Sequence, residues 1–186
     1  MTTPRKQRGA TLVVALIMLV LITLFALSSM KTATTSLMVT GNMQAKTEAL
    51  NAAQETIESV ISTPQFIASP ANAVINPCAG PNTRCTDVTG DGTPEYMTTL
   101  APQPVCMSAK PIKNEALNLA NLEDLGCSAG QQQQFGVAGA VTGNSLCASS
   151  VWEISAQAQG LNSGANVILR QGVGVRISTD DAGSAC

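Results

Sequence analysis

A short acidic segment, residues 87–95, has a spacing of residue types that suits a hard cation. Oxygen donors recur at alternate positions, from the side chains of Asp87, Thr89, Asp91 and Glu95 and the main-chain carbonyl of Thr93. Gly92 stands at the sixth position, where calcium loops make a sharp turn, but Thr98 replaces the last glutamate of an EF-hand. The segment is therefore a candidate Ca²⁺ site. The alternative is a Gly-Asp-Gly turn with solvated carboxylates.

The six cysteines predict disulfide bonds. They all follow the apolar N-terminal segment: Cys78, Cys85, Cys106, Cys127, Cys147 and Cys186. An even number in an exported domain is typical of an oxidising compartment, and the chain has neither histidine nor a CxxC pair to favour a zinc or redox centre. The turn-rich residues between Cys78 and Cys85 favour that pair. The pairing of the other four stays open.

Catalysis and nucleic-acid binding have little support in the composition. Without histidine the common nucleophile and acid–base arrangements cannot form, and no phosphate loop or dinucleotide motif occurs. The candidate acids are scattered: Glu115, Glu123, Asp124, Asp180 and Asp181. The aromatic residues are few: Phe25, Phe66, Tyr96, Phe135 and Trp152. Loss of the three leader cations Arg5, Lys6 and Arg8 takes the formal charge from −2 to −5. We therefore expect neither an enzyme nor a nucleic-acid partner.

The N-terminus consists of a basic leader, residues 1–9, and an uncharged apolar run, Ala10–Leu27. As a helix this run covers about 27 Å, nearly the thickness of a bilayer core. Three interpretations remain open: a secretory signal cut near residues 26–28, a permanent membrane anchor, or a prepilin leader cut after Gly9 that leaves the apolar segment on the mature protein.

A continuous helix over residues 10–62 is predicted, because the only glycine between residues 10 and 62 is Gly41 and there is no proline. Residues 10–30 would span the membrane and residues 31–62 would be amphipathic. The expected buried stripe of the second half consists of Leu50, Ala53, Ile57, Val60 and Ile61. Gly41-Asn42 is either a bend or a tolerated glycine.

The remaining residues, 63–186, have room for one small domain of short strands. Expected strands are Tyr96–Leu100, Val105–Ser108, and a hairpin of Val151–Ala158 with Asn166–Ile177. A short helix is expected over Ile112–Leu125, ending at Gly126, and a flexible loop over residues 128–146. The fold class is therefore α+β.

Several of these residues resemble a known family. The run Arg8–Leu16 (RGATLVVAL), then Ser28–Lys31, Gly41-Asn42 and Asn51–Glu55, is similar to the N-terminal region of the PilX-type minor pilins of type IV pili. The likeness covers residues 8 to about 62 and resumes near the C-terminus, at residues 151–156 and 171–176. It implies a type IV pilin-like fold: a long N-terminal helix packed on an antiparallel β-sheet head with disulfide-stapled loops.

The resemblance also implies a life cycle. A prepilin peptidase would cut after Gly9, and the new amine of Ala10 would be methylated. The protein would sit in the inner membrane with a periplasmic head and then enter an extracellular pilus that serves adhesion and twitching motility. Its partners would be other minor pilins and the major pilin, through the helix, and a large calcium-dependent tip adhesin.

One departure from major pilins bears on position in the filament. Major pilins have a glutamate at the fifth mature residue, where this chain has Val14. The tip subunit of the related type II secretion pseudopilus also lacks this glutamate. The resemblance therefore suggests a place at or near the pilus tip. The alternative is that the family simply tolerates valine.

A second class of function remains open. The chain could be a membrane-anchored or secreted, disulfide-rich and calcium-dependent binding module that never enters a filament. The mature N-terminal residue separates the two classes: Ala10 favours a pilin, Ser29 a secreted protein and Met1 an anchored one.

Overall fold

The computed structural model of the chain describes residues 10–128 and 143–186. The leader, with Gly9, and most of the expected 128–146 loop therefore lie outside the described residues. The chain forms two compact units, Met1–Gln44 and Ala45–Cys186. Each is described by itself below.

The first element, α1, is one helix over Ala10–Ile61. Gly41 lies inside it without interrupting it, which agrees with the tolerated-glycine alternative. In the first unit the large apolar side chains are exposed: Leu12 is 70% and Phe25 82% accessible. By length and composition this helix is able to cross a membrane.

The last part of α1, from Ala45 to Ile61, belongs to the second unit and buries one face. The buried residues are spaced three and four apart along the helix: Ala49, Ala52, Ala53, Thr56, Ile57 and Val60. The stripe expected from the sequence was wrong at Leu50, which is 40% exposed because it lies beside the row rather than on it. Small alanines occupy the contact instead, so the sheet can approach the helix closely.

An antiparallel sheet of five strands forms the head. The strands are β1 (Thr83–Thr86), β2 (Tyr96–Leu100), β3 (Val105–Lys113), β4 (Asn144–Gly160) and β5 (Asn166–Ser178). The long strand β4 is central: β3 and then β2 pair along one of its edges, and β5 pairs along the other. Strand β1 extends the sheet beyond β2.

The core lies between the sheet and the buried face of α1. Strand β4 supplies its centre at alternate positions, with Trp152 1% and Ile154 0% exposed. The indole of Trp152 meets the ring of Phe66 edge-on at 5.5 Å between centroids. Its Nε1 donates to the hydroxyl of Ser150 at 3.0 Å, so the indole nitrogen is satisfied inside the core.

The α+β class is confirmed, as are the strand Tyr96–Leu100 and the β4–β5 hairpin. The helix expected over Ile112–Leu125 was wrong. Strand β3 continues to Lys113, a 3-10 turn covers Asn114–Ala116, and helix α3 covers Leu122–Ser128, passing through Gly126. The physical reason is that β4 offers β3 a ladder as far as Asn144, and tertiary pairing outweighs local helix preference.

Besides a 3-10 turn at Pro70–Asn72, three further elements escaped the sequence patterns: strand β1, the short helix α2 (Gln65–Ala68) and the terminal helix α4 (Thr179–Ala185). Strand β1 lies where turn residues dominate. Helix α4 begins with Ser178, whose hydroxyl accepts from the N–H of Asp181 as an N-cap. That cap and the acidic first turn, Asp180 and Asp181, were the local signals available for α4.

Candidate functional site

The acidic segment 87–95 is the loop that joins β1 to β2. Thr86 and Tyr96 pair across the two strands, and the N–H of Glu95 donates to the carbonyl of Thr86 at 3.1 Å, which closes the loop. Gly90 and Gly92 have φ of +75° and +89°. Side chains rarely adopt these values, so the two glycines permit the tight path that the loop takes.

This loop gathers the acidic side chains that the sequence singled out. Carboxylate oxygens of Asp87, Asp91 and Glu95 lie within 4.8 Å of one another. The hydroxyl of Thr89 lies 2.7 Å from Glu95 Oε1 and 3.4 Å from Asp87 Oδ1. Thr93 contributes its N–H, which donates to Asp91 at 2.7 Å. The structure therefore brings Asp87, Thr89, Asp91 and Glu95 together, while the described contact of Thr93 is made by its N–H and not by the carbonyl that the sequence predicts as a ligand.

Asp87 is held in its ionised form. It accepts the N–H of Gly92 at 2.7 Å and of Gly90 at 2.6 Å, and these two bonds lower the pKa of the carboxyl below 3.8. The three carboxylates offer only hard oxygen donors, which suits Ca²⁺ better than zinc or copper. They are exposed or half-buried, so water could complete a calcium shell.

The two strands that carry this loop also hold α1 in place through polar contacts. Tyr96, at the start of β2, points its hydroxyl at Glu48 Oε2, 2.8 Å away, and at the carbonyl of Ala45, 3.2 Å away. Burial, followed by the neighbouring Glu48 carboxylate, raises the pKa of Tyr96 above 10.0. Arg84, on β1, donates to Glu55 at 2.5 Å and to Ser59 at 3.0 Å. The hairpin β1–β2 therefore holds α1 through two polar contacts, Tyr96–Glu48 and Arg84–Glu55, which together form what we term the clasp.

No sequence signal predicts this clasp. Tyr96 and Glu48 are 48 residues apart, and Arg84 and Glu55 are 29 apart. No local sequence pattern distinguishes these four residues from ordinary polar residues of a strand or a helix surface. Only the packing of the sheet on the helix brings them together.

Three disulfides fasten the head: Cys78–Cys85, Cys106–Cys186 and Cys127–Cys147. The first is the pair that the turn-rich spacing favours. The second ties the residues after β5 to β3, and the third ties α3 to β4. The described part of the chain holds no free cysteine.

An ion pair lies beside the third disulfide. Arg176 of β5 donates to Asp124 of α3, whose side chain is only 10% exposed. The N–H of Asn118 also donates to Asp124 at 2.7 Å. That hydrogen bond and the Arg176 guanidinium lower the pKa of Asp124 below 3.8. The contact fixes α3 to the sheet, and again no local pattern predicts it.

Of the two residues at the predicted leader cleavage site, Gly9 and Ala10, only Ala10 lies among the described residues. Ala10 is the first residue of α1, and it is exposed. Val14, four residues on, is 57% exposed. Its apolar side chain offers nothing to pair with a charged amine.

Comparison with known protein families finds a match at the N-terminal helix. The PilX N-terminal family model matches residues 8–54, which cover most of α1. No curated protein and no solved structure matches the chain. The matched segment coincides with the likeness seen in the sequence, and an antiparallel, disulfide-bonded head follows it. The chain thus matches the PilX N-terminal family over most of α1 and has a pilin-like α+β architecture, which is consistent with a PilX-type type IV pilus protein.

Proposed function

We propose that this chain is a minor pilin that helps to initiate assembly of a type IV pilus and is then incorporated into it. The observation that carries the proposal is the surface of α1 within the first unit, where large apolar side chains from Leu12 to Met43 are exposed. Such a surface is unstable in water and needs either lipid or other helices around it. A pilin meets these two environments one after the other: the lipid of the inner membrane before assembly, and the helices of the major and minor pilins afterwards.

The proposed place is at or near the tip, with the head presenting a large calcium-dependent adhesin. Val14 supports the position. A carboxylate at that residue would need the terminal amine of a neighbouring subunit, since an unpaired charge in an apolar bundle is costly. A subunit with valine does not need that neighbour. Immunogold labelling of the head should therefore mark filament ends only, and labelling along the shaft would contradict the tip position.

Maturation is proposed to remove residues 1–9 and to methylate Ala10. We propose replacing Gly9 with leucine, because a peptidase pocket that accepts glycine before the cut has no room for a larger side chain. The matched control is Gly41→Leu: a Cβ at Gly41 meets no atom within 4 Å, so this helix position accepts a side chain. Mass spectrometry of the mature N-terminus is the measurement.

The wild-type and Gly41→Leu proteins should begin at methylated Ala10, whereas Gly9→Leu should retain Met1 and stay in the inner membrane. Cleavage of Gly9→Leu at the same bond would overturn the prepilin interpretation. A wild-type N-terminus at Ser29 would instead favour the alternative, a secreted binding module, and one at Met1 a membrane-anchored module. In neither case would the protein be a filament subunit.

Calcium binding by the β1–β2 loop is a second, separable proposal. The clustering of Asp87, Asp91 and Glu95 supports it, together with the hydroxyl of Thr89 and the ionised state of Asp87. The site would stiffen the loop that connects the two strands of the hairpin that clasps α1. No catalytic role is proposed for any residue, since a structural subunit needs none.

A further inference from the structure

Strand β5 is an open edge of the sheet. It is 13 residues long, more than twice the usual ~5–6, and within the described residues its ladder is with β4 alone. In an antiparallel ladder, consecutive residues direct their N–H and C=O groups alternately toward the neighbouring strand and away from it. About half of the main-chain groups of β5 are therefore aimed outward, available to another strand.

The edge lacks most of the features that normally prevent strand pairing, and its charged residues are the two arginines Arg170 and Arg176. Strand β5 contains neither proline nor lysine, and Gly172 and Gly174 leave open space where side chains would stand. The residues that follow it do not cover it. They fold into α4, and the Cys106–Cys186 bond joins the end of α4 to β3, on the other side of β4.

The inner face of β5 indicates what an added strand would have to supply. Val167, Leu169, Val173 and Val175 pack against the core but remain half-exposed. By comparison, residues of the central strand such as Ile154 and Ala156 are fully buried. The core is therefore unfinished along this edge. A strand with apolar side chains at every second position would complete it.

The outer face of β5 adds a charge. Arg170 has a side chain that is 67% exposed, and its nearest carboxylate, on Glu153, is 3.9 Å away. Such a long, solvated ion pair contributes little and leaves the guanidinium able to bind a better partner. Arg176, by contrast, is engaged by Asp124. The added strand would therefore gain from an acidic residue opposite Arg170.

We infer that β5 accepts an extended segment of a partner protein as a sixth strand, with apolar residues on its inner face and an acidic residue facing Arg170. Main-chain hydrogen bonds would supply affinity and the alternating side chains would supply selectivity. This inference does not depend on incorporation into a pilus, since it rests on the head alone.

The test uses full-length protein in detergent micelles and a synthetic probe. The probe is an end-blocked peptide of about nine residues, ~30 Å when extended, in which valine and glutamate alternate. A control peptide has the same composition arranged in two blocks. Amide hydrogen exchange, followed residue by residue, should show protection of alternate amides between residues 166 and 178 on adding the probe. The short edge strand β1 should show none.

Two kinds of variant sharpen the result. The N–H groups of consecutive residues point to opposite edges of a strand, so either Gly172 or Val173 directs its N–H outward. Proline at that residue removes the outward N–H and leaves the β4 ladder intact. Of Gly172→Pro and Val173→Pro, the variant to use is the one that keeps the wild-type melting curve. It should weaken probe binding at least about tenfold. Arg170→Glu, at an exposed position, should weaken binding of the probe that carries glutamate and strengthen binding of the same peptide with lysine in place of glutamate.

Three outcomes would overturn the inference. Equal binding of the block peptide would show that alternation is irrelevant, and protection outside β5 would place the contact elsewhere. If the protein without probe sediments as a dimer with β5 already protected, the occupant is a second copy of this chain rather than a partner segment.

Discussion

Tyr96→Phe should loosen the hold of the head on α1. The substitution removes one oxygen and keeps the ring, which is almost fully buried, so it opens no cavity of consequence. What it removes is the hydroxyl that lies 2.8 Å from the Glu48 carboxylate and 3.2 Å from the Ala45 carbonyl.

The expected loss follows from the surroundings of that bond. A hydrogen bond to a charged group is worth roughly 1.5–3 kcal/mol, and Glu48 is half-exposed, so water can partly replace the hydroxyl. We expect the free energy of unfolding to fall by about 1–2 kcal/mol. Most of that loss should disappear in a Glu48→Gln background, because the charged acceptor is then already gone.

The assay is urea unfolding of the full-length protein in detergent, followed by fluorescence. Trp152 is the only tryptophan and is 1% exposed, so its emission follows unfolding of the head. Glu55→Gln is the matched control, since it breaks the other contact of the clasp, with Arg84. Its loss of unfolding free energy should add to that of Tyr96→Phe. A loss below about 0.3 kcal/mol, or equal losses in both backgrounds, would refute the clasp.

The same residue gives a pH signature. Burial and Glu48 raise the pKa of Tyr96 above 10.0, so the folded state holds the phenolic proton more tightly than the unfolded state. Its contribution to stability is therefore complete below pH 10 and is lost as pH rises through the folded-state pKa. Tyr96 is the only tyrosine, so absorbance of its phenolate reports its titration directly. The alkaline decline in stability should be smaller in Tyr96→Phe, and an equal decline in both proteins would contradict the assignment.

Three other predictions concern the head. Folded protein from an oxidising compartment should have no titratable thiol. Paired Cys→Ser changes should cost stability in the order of the sequence separations, 80, 20 and 7 residues: about 4.5 kcal/mol for Cys106–Cys186, about 3.3 for Cys127–Cys147 and about 2.4 for Cys78–Cys85 in urea unfolding. Equal costs would refute the loop-entropy argument. Because the pKa of Asp124 is lowered, its stabilisation is present above pH 3.8 and is lost as pH falls through the folded-state value. Asp124→Asn should therefore lower the melting temperature at pH 7 and flatten the acid decline, whereas Glu115→Gln, at an exposed residue, should leave the melting temperature at pH 7 unchanged. After chelator treatment, calcium at a hundredfold excess over its Kd should stabilise the head by about 2.7 kcal/mol and magnesium by less. Changing Asp87 and Asp91 to alanine should abolish that shift while the β4–β5 hairpin stays folded; no shift in the wild type would leave a simple turn.

Local chemistry in the sequence determined several features of this protein. An apolar run without proline is enough to specify α1, because helix hydrogen bonds join residues only four apart. The β4–β5 hairpin follows from two alternating runs around a short turn, and the acidic loop from the spacing of Asp87, Asp91 and Glu95. The Cys78–Cys85 pair spans only seven residues, so a turn suffices to join it.

Tertiary structure alone decided the rest. Residues 112–113 look helical beside the following leucines, yet they complete β3 because β4 offers a partner strand. The bonds Cys106–Cys186 and Cys127–Cys147, the contact of Tyr96 with Glu48 and the open edge of β5 all depend on how the sheet packs and in what order its strands lie. Such pairs are distant along the chain and carry no periodicity. Their selection rests on burial and hydrogen-bond satisfaction summed over the whole head, which no window of the sequence contains.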